Sequence, residues 1–127
     1  MFRVLCVDDN HDVADSEAML LRATGFDARA CYDRASALAL ADAFRPAVCL
    51  IDLHMPGMDG DVLAALLRTW ANATGRLVYL VAVTAMDNEA SRHRIECVFD
   101  LHLIKPVDPH QLLALLDELT STPIHQA

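Results

Sequence analysis

The sequence predicts an α/β fold, in which a parallel β-sheet is covered by helices on both faces. Short apolar runs alternate with longer amphipathic segments along the chain. This pattern favours parallel strands joined by crossover helices, because parallel strands are buried on both faces. The length of 127 residues and the hydrophobic content of 54% fit one well-packed domain. We expect residues 1–120 to form this domain, without an output module, and residues 121–127 to form a C-terminal tail.

Five apolar runs are the predicted strands. They are VLCV (4–7), DARAC (27–31), AVCLI (47–51), LVYLVAV (77–83) and LHLI (101–104). Polar residues interleave the second run, which is typical of a strand at the edge of a sheet.

A segment of helical length follows each predicted strand, which gives five predicted helices. In three of them, apolar residues recur with the i, i+3, i+4, i+7 spacing of a core-facing stripe. These stripes are Ala37, Leu40, Ala41 and Phe44; Leu63, Leu66, Leu67 and Trp70; and Leu112, Leu115, Leu116 and Leu119. The segment 88–97 is polar along most of its length, so it should be the least tightly packed helix.

Proline, aspartate and glycine mark the predicted helix boundaries. Pro46 separates the second helix from the third strand. Asp59 and Gly60 are predicted to open the third helix, and Asp108 and Pro109 have the residue types of the cap and first position of the fifth.

The overall charge and the apolar segments exclude several classes of protein. A formal net charge of −8 argues against non-specific binding to nucleic acids, which requires Lys and Arg side chains to displace counterions from phosphates. The first apolar run is too short for a signal-peptide core or a membrane span. We therefore expect a cytoplasmic protein that binds neither nucleic acids nor membranes directly.

The cysteines and histidines do not have the spacing of metal or redox sites. The four cysteines form no CxxC pair and three lie within apolar runs, so we interpret them as small buried hydrophobic residues. The six histidines lie in different segments without zinc-ligand spacing, so their rings are predicted to be solvated.

Polar side chains follow four of the five predicted strands. Asp8 and Asp9 follow the first, Asp52 the third, Thr84 the fourth and Lys105 the fifth. Ligands of open α/β sheets bind outside the carboxyl ends of the strands, so these side chains should meet at one edge. Two carboxylates about 4 Å apart repel by roughly 4 kcal/mol at an effective dielectric of about 20. The acidic cluster therefore indicates a divalent metal in addition to the lysine.

The segments VDDN (7–10), IDLHMPGMDG (51–60), VTA (83–85) and LIKP (103–106) resemble the receiver domains of two-component response regulators. The order, spacing and strand-end positions of these motifs carry the resemblance over almost the whole chain. It implies a flavodoxin-like (βα)5 three-layer sandwich with a five-stranded parallel sheet of order 2-1-3-4-5. The first and third strands are neighbours in that order.

The resemblance implies a phosphoacceptor site. Asp52 would accept a phosphoryl group from a histidine kinase or a phosphotransfer protein, as a carboxylate nucleophile. Asp8, Asp9, Asp52 and the backbone carbonyl of His54 would hold Mg²⁺, which prefers a few carboxylates together with waters and phosphate oxygens. The domain would catalyse only its own phosphorylation and slow dephosphorylation, and would not be an enzyme in the usual sense.

The resemblance also implies how phosphorylation changes the partner-binding surface. Lys105 and Thr84 would contact phosphoryl oxygens, and Thr84 and His102 would be the switch residues. His102 stands where the family usually has an aromatic ring, and its imidazole titrates near neutral pH. The motifs look similar to receivers of hybrid sensor kinases. The sequence does not identify the cognate kinase or the output partner, and it leaves the formation of a homodimer open.

Three other interpretations compete with this one. Asp8 and Asp9 are residue types that often cap a helix. A Mg²⁺-dependent phosphohydrolase also uses an aspartyl phosphate, but such enzymes usually carry a DxD motif and a cap domain. A degenerate receiver would bind partners without phosphorylation, but such domains usually lack one of the acidic residues or the lysine, all of which are present.

The sequence departs from the usual family pattern at two places. His54 and Met86 occupy positions that in this family tune the rates of phosphorylation and dephosphorylation. Cys97 and Val98 stand where the family often has Ala-Gly, and a β-branched residue resists the positive φ that glycine supplies. The helix predicted over 88–97 should therefore end differently.

Overall fold

The computed structural model describes residues 2–55, 58–85, 92, 93, 95 and 98–121. The strands are β1 (Arg3–Val7), β2 (Asp27–Cys31), β3 (Val48–Asp52), β4 (His54–Met55), β5 (Met58–Asp59), β6 (Tyr79–Thr84) and β7 (Leu101–Ile104). The helices are α1 (His11–Ala23), α2 (Arg34–Phe44), α3 (Gly60–Thr74) and α4 (Pro109–Ser121).

Five of the strands form one parallel sheet in the order β2-β1-β3-β6-β7. This is the predicted 2-1-3-4-5 order, with β2 at an edge as its mixed polarity predicted. Val7 on β1 pairs with Ile51 on β3, so the two strands end side by side. β4 and β5 form a separate antiparallel pair of two residues each. The sequence does not predict this hairpin, because two-residue strands are too short to show an alternating pattern.

The two faces of the sheet form two hydrophobic clusters. One face packs against α2 and α3 and contains Leu5, Ile51 and Leu67. The other packs against α1 and α4 and contains Leu50 and Leu116. Burial of a leucine or isoleucine side chain stabilises the fold by about 1.5–3 kcal/mol. The central strands β1 and β3 are buried on both faces, which holds their carboxyl ends in fixed positions.

The buried cysteines behave as hydrophobic residues, as predicted. Cys6, Cys31 and Cys49 are free and buried. Burial raises the pKa of Cys31 to about 12 and raises the pKa of the other two thiols as well, so all three remain neutral near pH 7. Cys97 lies outside the described residues.

Polar side chains and prolines define the helix boundaries. The Asn10 side chain caps α1 and accepts hydrogen bonds from the backbone N–H groups of Asp12 and Val13. α2 ends at Phe44, and the residue that caps its end, Arg45, has a positive φ of 58° and directly precedes Pro46. α4 begins at Pro109, as predicted.

The helix predicted over 88–97 falls mostly outside the described residues. Ile95 is buried against the α2 and α3 face of the sheet, and Val98 is helical and packs on the same cluster. Among the described residues other than glycine, only Arg45 has a positive φ.

The Asp100 side chain anchors the beginning of β7 by hydrogen bonds, at the end of the strand that lies away from the predicted site. Its Oδ2 accepts hydrogen bonds from the Leu80 backbone N–H at 2.8 Å and from Arg68 Nη2 at 2.7 Å. Arg68 also donates to the Val78 carbonyl at 3.0 Å. This group ties β7 to β6 and α3. In the part of the chain that is described, no helix has the length and apolar character needed to cross a membrane.

Candidate functional site

Three carboxylates meet at the carboxyl edge of the sheet. One potential ligand atom each from Asp8, Asp9 and Asp52 lies within 4.8 Å of the other two. Asp8 directly follows β1 and Asp52 ends β3, and the pairing of these neighbouring strands brings the two together. Asp8 is 3% exposed and Asp52 is 6% exposed, whereas Asp9 is exposed. The structure therefore brings together the three acidic residues that the sequence predicted.

The backbone around Asp8 fixes its carboxylate. The Asp8 N–H donates to the Cys31 carbonyl on β2 at 3.1 Å, and Asp8 Oδ1 accepts from the Asn10 N–H at 3.0 Å. The residue that caps α1 is Asn10. The interpretation of Asp8 and Asp9 as the helix cap is therefore wrong.

Lys105 places a single positive charge between two of the carboxylates. Its Nζ lies 3.0 Å from Asp8 Oδ2 and 3.4 Å from Asp52 Oδ1. Its backbone N–H donates to the Thr84 carbonyl at 2.8 Å, which fixes the start of the side chain beside β6. Burial lowers the pKa of Lys105, but the Asp8 hydrogen bond and the charges of Asp52 and Asp8 outweigh it and raise the pKa overall. The ammonium therefore stays charged over the physiological range.

The charge of the site remains negative after the lysine is counted. The formal charges of three carboxylates and one ammonium sum to −2, and two of the carboxylates are almost completely buried. A buried uncompensated charge is unfavourable, so the cluster suits a divalent cation.

Residue 60 has to be a glycine, because its backbone lies too close to the Asp52 backbone to leave room for a side chain. A Cβ at this position would lie 2.4 Å from the Asp52 carbonyl oxygen and 2.9 Å from Leu53 Cα. The Gly60 N–H donates to the Leu53 carbonyl at 3.2 Å. The sequence predicted Gly60 as a turn residue that opens the third helix, and α3 does begin there. The tight contact with the strand that carries Asp52 is a stronger reason for glycine than the turn.

The remaining predicted residues lie on β6, β7 and the short hairpin. Thr84 is fully buried at the end of β6. His102 is exposed on β7 and pairs with Ala82, two residues before Thr84. Paired residues of parallel strands point to the same face, so Thr84 and His102 share one face of the sheet. His54 begins β4, two residues after Asp52. Met86 lies outside the described residues.

Glu17 is a charged neighbour of the site that the sequence did not reveal. Burial, together with the charges of Asp8 and Asp52, raises the pKa of Glu17 to about 7, and the charge of Lys105 offsets part of this rise. Glu17 precedes Ala18 in the buried stripe of α1. The sequence signal for Glu17 was a carboxylate next to the apolar stripe of α1. This pattern does not by itself indicate that Glu17 lies near Lys105.

Comparisons with known proteins agree with the fold. Residues 4–117 match the response regulator receiver domain family. The chain is 35% identical over 115 residues to the sensory transduction protein RegX3 of Mycobacterium tuberculosis. The aligned region covers 90% of this chain and 48% of RegX3. It is 34% identical over 112 residues to the DNA-binding response regulator MtrA of Mycolicibacterium smegmatis, over 88% of this chain and 47% of the relative. The chain spans about half the length of these curated relatives.

Solved structures show the same architecture. The Vibrio cholerae chemotaxis protein CheY4 superposes with a TM-score of 0.85 at 25% identity, covering 93% of this chain and 98% of that one. A CheY-like receiver domain protein from Methanospirillum hungatei superposes with a TM-score of 0.87 at 21% identity, over 100% of this chain and 99% of that one. At this identity, the likeness shows only that the two proteins share a fold.

The flavodoxin-like sheet, its acidic carboxyl edge and the family match together define a phosphorylation-activated signalling domain of the two-component type. The chain belongs to the response regulator receiver domain family. Members of this family are signalling domains rather than conventional enzymes. They take phosphoryl groups from histidine kinases and generally bind Mg²⁺ at an acidic cluster.

Proposed function

We propose that Asp52 is the phosphoacceptor of this receiver domain. The observation that carries the proposal is the position of its carboxylate, 3.4 Å from the Lys105 ammonium and within the cluster formed with Asp8 and Asp9. A carboxylate oxygen of Asp52 forms a bond to phosphorus while the bond from phosphorus to the donor nitrogen breaks. The electron pair of that bond stays on the donor imidazole, and the product is an aspartyl phosphate.

The donor set supports Mg²⁺ binding. Octahedral Mg²⁺ binds oxygen ligands at about 2.1 Å, so ligand oxygens lie roughly 3 to 4.2 Å apart. The carboxylate oxygens of Asp8, Asp9 and Asp52 lie within 4.8 Å of one another, so small side-chain adjustments would bring them to this geometry. The backbone carbonyl of His54 is the fourth proposed ligand. When bound, the metal supplies positive charge that neutralises phosphoryl oxygens.

Lys105 and Thr84 complete the proposed site. The Lys105 ammonium already lies between Asp8 and Asp52, so a phosphoryl oxygen on Asp52 would be within its reach. Thr84 ends the neighbouring strand and supplies a hydroxyl donor. Phosphoryl transfer depends mainly on positioning and charge stabilisation, which these groups can supply without a deep pocket. The domain would catalyse its own phosphorylation and slow dephosphorylation.

Thr84 and His102 are the proposed switch residues. They lie on the same face of adjacent strands, separated by two residues along the register. We propose that Thr84 moves toward the phosphoryl group and that His102 rotates inward from its exposed position into the space that Thr84 leaves. A shift from a 1:99 to a 99:1 population requires about 5.5 kcal/mol, which a few charge-assisted hydrogen bonds of about 1.5–3 kcal/mol can supply.

The proposed phosphodonor is a sensor histidine kinase or a phosphotransfer protein in the cytoplasm. The output partner remains to be identified, and a homodimer is one form in which the domain could act. MtrA is named as a DNA-binding regulator, but it is about twice as long as the matched part. We propose that the domain described here, with its net charge of −8, binds no nucleic acid and no membrane directly.

The test is phosphorylation by a small-molecule donor. The protein is incubated with Mg²⁺ and acetyl phosphate, and the intact mass is measured before and after treatment with acid or base. We expect an acid-stable, base-labile mass gain that is absent from Asp52→Asn. Asp12→Asn is the matched control, because Asp12 is an exposed aspartate on α1 and should leave the mass gain unchanged.

Three outcomes would contradict the proposal. A wild-type protein that binds Mg²⁺ but gains no mass would favour the degenerate receiver. A mass gain that persists in Asp52→Asn would assign the acceptor to another residue. Rapid multiple-turnover release of phosphate from small phosphate esters would favour the phosphohydrolase.

A further inference from the structure

A pocket opens beside the acidic cluster, between α1 and the segment that follows β7. Its volume is about 630 Å³. Asp12, Val13 and Glu17 line it from α1, and Lys105 and Val107 line it from the other side. Lys105 therefore borders two spaces, the acceptor site on one side and this pocket on the other.

Glu17 is the half-buried acidic residue of this pocket. In the described part of the chain its carboxyl makes no hydrogen bond or ion pair, but the charges of Asp8, Asp52 and Lys105 act on it through space. Asp12, the other acidic residue of the pocket, is exposed. Glu17 is thus a third anion that attracts the ammonium shared by Asp8 and Asp52.

We propose that Glu17 is a positioning residue for Lys105, and that its carboxylate competes with the incoming phosphoryl group for the lysine ammonium and so restrains phosphorylation of Asp52. This inference rests on the proposed role of Asp52. An ionised Glu17 draws Lys105 toward the pocket and adds negative potential near the position of the phosphoryl group. Both effects oppose the arrival of an anion.

The restraint depends on pH, because burial and the charges of Asp8 and Asp52 raise the pKa of Glu17 to about 7 in the metal-free domain. Without metal the carboxyl is mostly ionised at pH 8 and mostly protonated at pH 6, and bound Mg²⁺ would lower this pKa. The charged groups that act on it are Asp8 from β1, Asp52 from β3 and Lys105 from the end of β7, while Cys6 faces it from β1 as a neutral thiol. A phosphoryl group on Asp52 adds negative charge nearby, so Glu17 should take up a proton from solvent when the domain is phosphorylated.

The test compares rates of phosphorylation by acetyl phosphate with saturating Mg²⁺ at pH 8 and pH 6. We expect Glu17→Gln to react about fivefold faster than the wild type at pH 8, the size of one through-space charge interaction at a partly solvated site. At pH 6 the difference between the two rates should be smaller, because part of Glu17 is then protonated in the wild type. Glu17→Asp keeps the charge and should retain the pH dependence of the wild type. Asp12→Asn, a change of charge in the same pocket, should behave as the wild type at both pH values.

The results separate this inference from the proposed function. A wild-type chain that is phosphorylated on Asp52, but at the same rate as Glu17→Gln at pH 8, would overturn the role of Glu17 alone. An equal acceleration by Asp12→Asn would also overturn it, because the effect would then be one of general charge. A wild-type chain that gains no phosphoryl group would overturn both proposals.

A second measurement does not require phosphorylation. A ¹³C NMR titration of the Glu17 carboxyl in the unphosphorylated, metal-free protein should give a pKa of about 7. Lys105→Met should raise this pKa, because a positive neighbour is lost, and Asp52→Asn should lower it. Titration at the ordinary glutamate value, or insensitivity to both variants, would contradict the coupling between Glu17 and the site.

Discussion

Replacement of Lys105 by methionine tests the charge balance of the site in the unphosphorylated protein. The ammonium lies 3.0 Å from Asp8 and 3.4 Å from Asp52. At an effective dielectric of about 20, these pairs attract by about 5.5 and about 4.9 kcal/mol before desolvation is counted. Loss of one partner of a buried ion pair typically destabilises a protein by about 3–5 kcal/mol. The Lys105 side chain is 27% exposed, so solvent screens part of this and we expect a loss of about 2–3 kcal/mol.

The assay is urea denaturation at pH 7.5 with a metal chelator, followed by far-ultraviolet circular dichroism. In the Asp52→Asn background, Lys105→Met should be less destabilising by about 1 kcal/mol, because one of the two carboxylate partners is gone. Excess Mg²⁺ should return part of the lost stability to Lys105→Met. Arg34→Met is the control, since Arg34 is exposed on α2 and far along the chain from the site. It should change the free energy of unfolding by no more than about 0.5 kcal/mol.

Two results would refute this reasoning. One is a free energy of unfolding for Lys105→Met that equals that of Arg34→Met. The other is an unchanged effect of Lys105→Met when Asp52 is already asparagine, since the two side chains would then not be energetically coupled.

Two further predictions concern neighbours of the site. Gly60→Ala should destabilise the protein by about 1–3 kcal/mol and slow phosphorylation, since its Cβ would lie 2.4 Å from the Asp52 carbonyl oxygen. The control is Ala65→Gly at an exposed position of α3, which should destabilise the protein by about 1 kcal/mol without slowing phosphorylation. Glu17→Gln should raise the free energy of unfolding by about 1–2 kcal/mol at pH 8 and leave it unchanged below about pH 4.5. The reason is that the energetic penalty of ionising Glu17 in the folded protein develops between its unfolded pKa of 4.5 and its folded pKa of about 7. An equal gain in stability at both pH values would contradict this prediction.

The main sheet was predictable because its strands have a strong signal. Buried parallel strands appear as short continuous apolar runs, and the five predicted runs agree with the five strands of the sheet to within two residues at each end. The runs also end at the residues that carry charge, which is why Asp8, Asp52 and Lys105 could be assigned to one edge. The β4–β5 hairpin gave no comparable signal, since each of its strands has two residues.

The contacts between side chains were not predictable from strand ends alone. The sequence indicated that Gly60 opens a helix, but not that α3 approaches the Asp52 backbone too closely for any larger residue. It also gave no indication that Glu17 and Lys105 border the same pocket, because α1 and the segment after β7 are far apart in sequence. Such contacts depend on how the helices pack on the sheet, which hydrophobic patterns determine only approximately.

The attachment of Asp100 fixes where β7 begins on the sheet. The strand is held there by hydrogen bonds to β6 and α3, its pairing with β6 continues to Thr84 and Ile104, and the Lys105 N–H donates to the Thr84 carbonyl. Lys105 lies five residues beyond Asp100, roughly 16 Å away at the usual rise of a strand. A slip of β7 by one residue would displace the ammonium by about 3.3 Å, and the hydrogen bonds of Asp100 oppose such a slip.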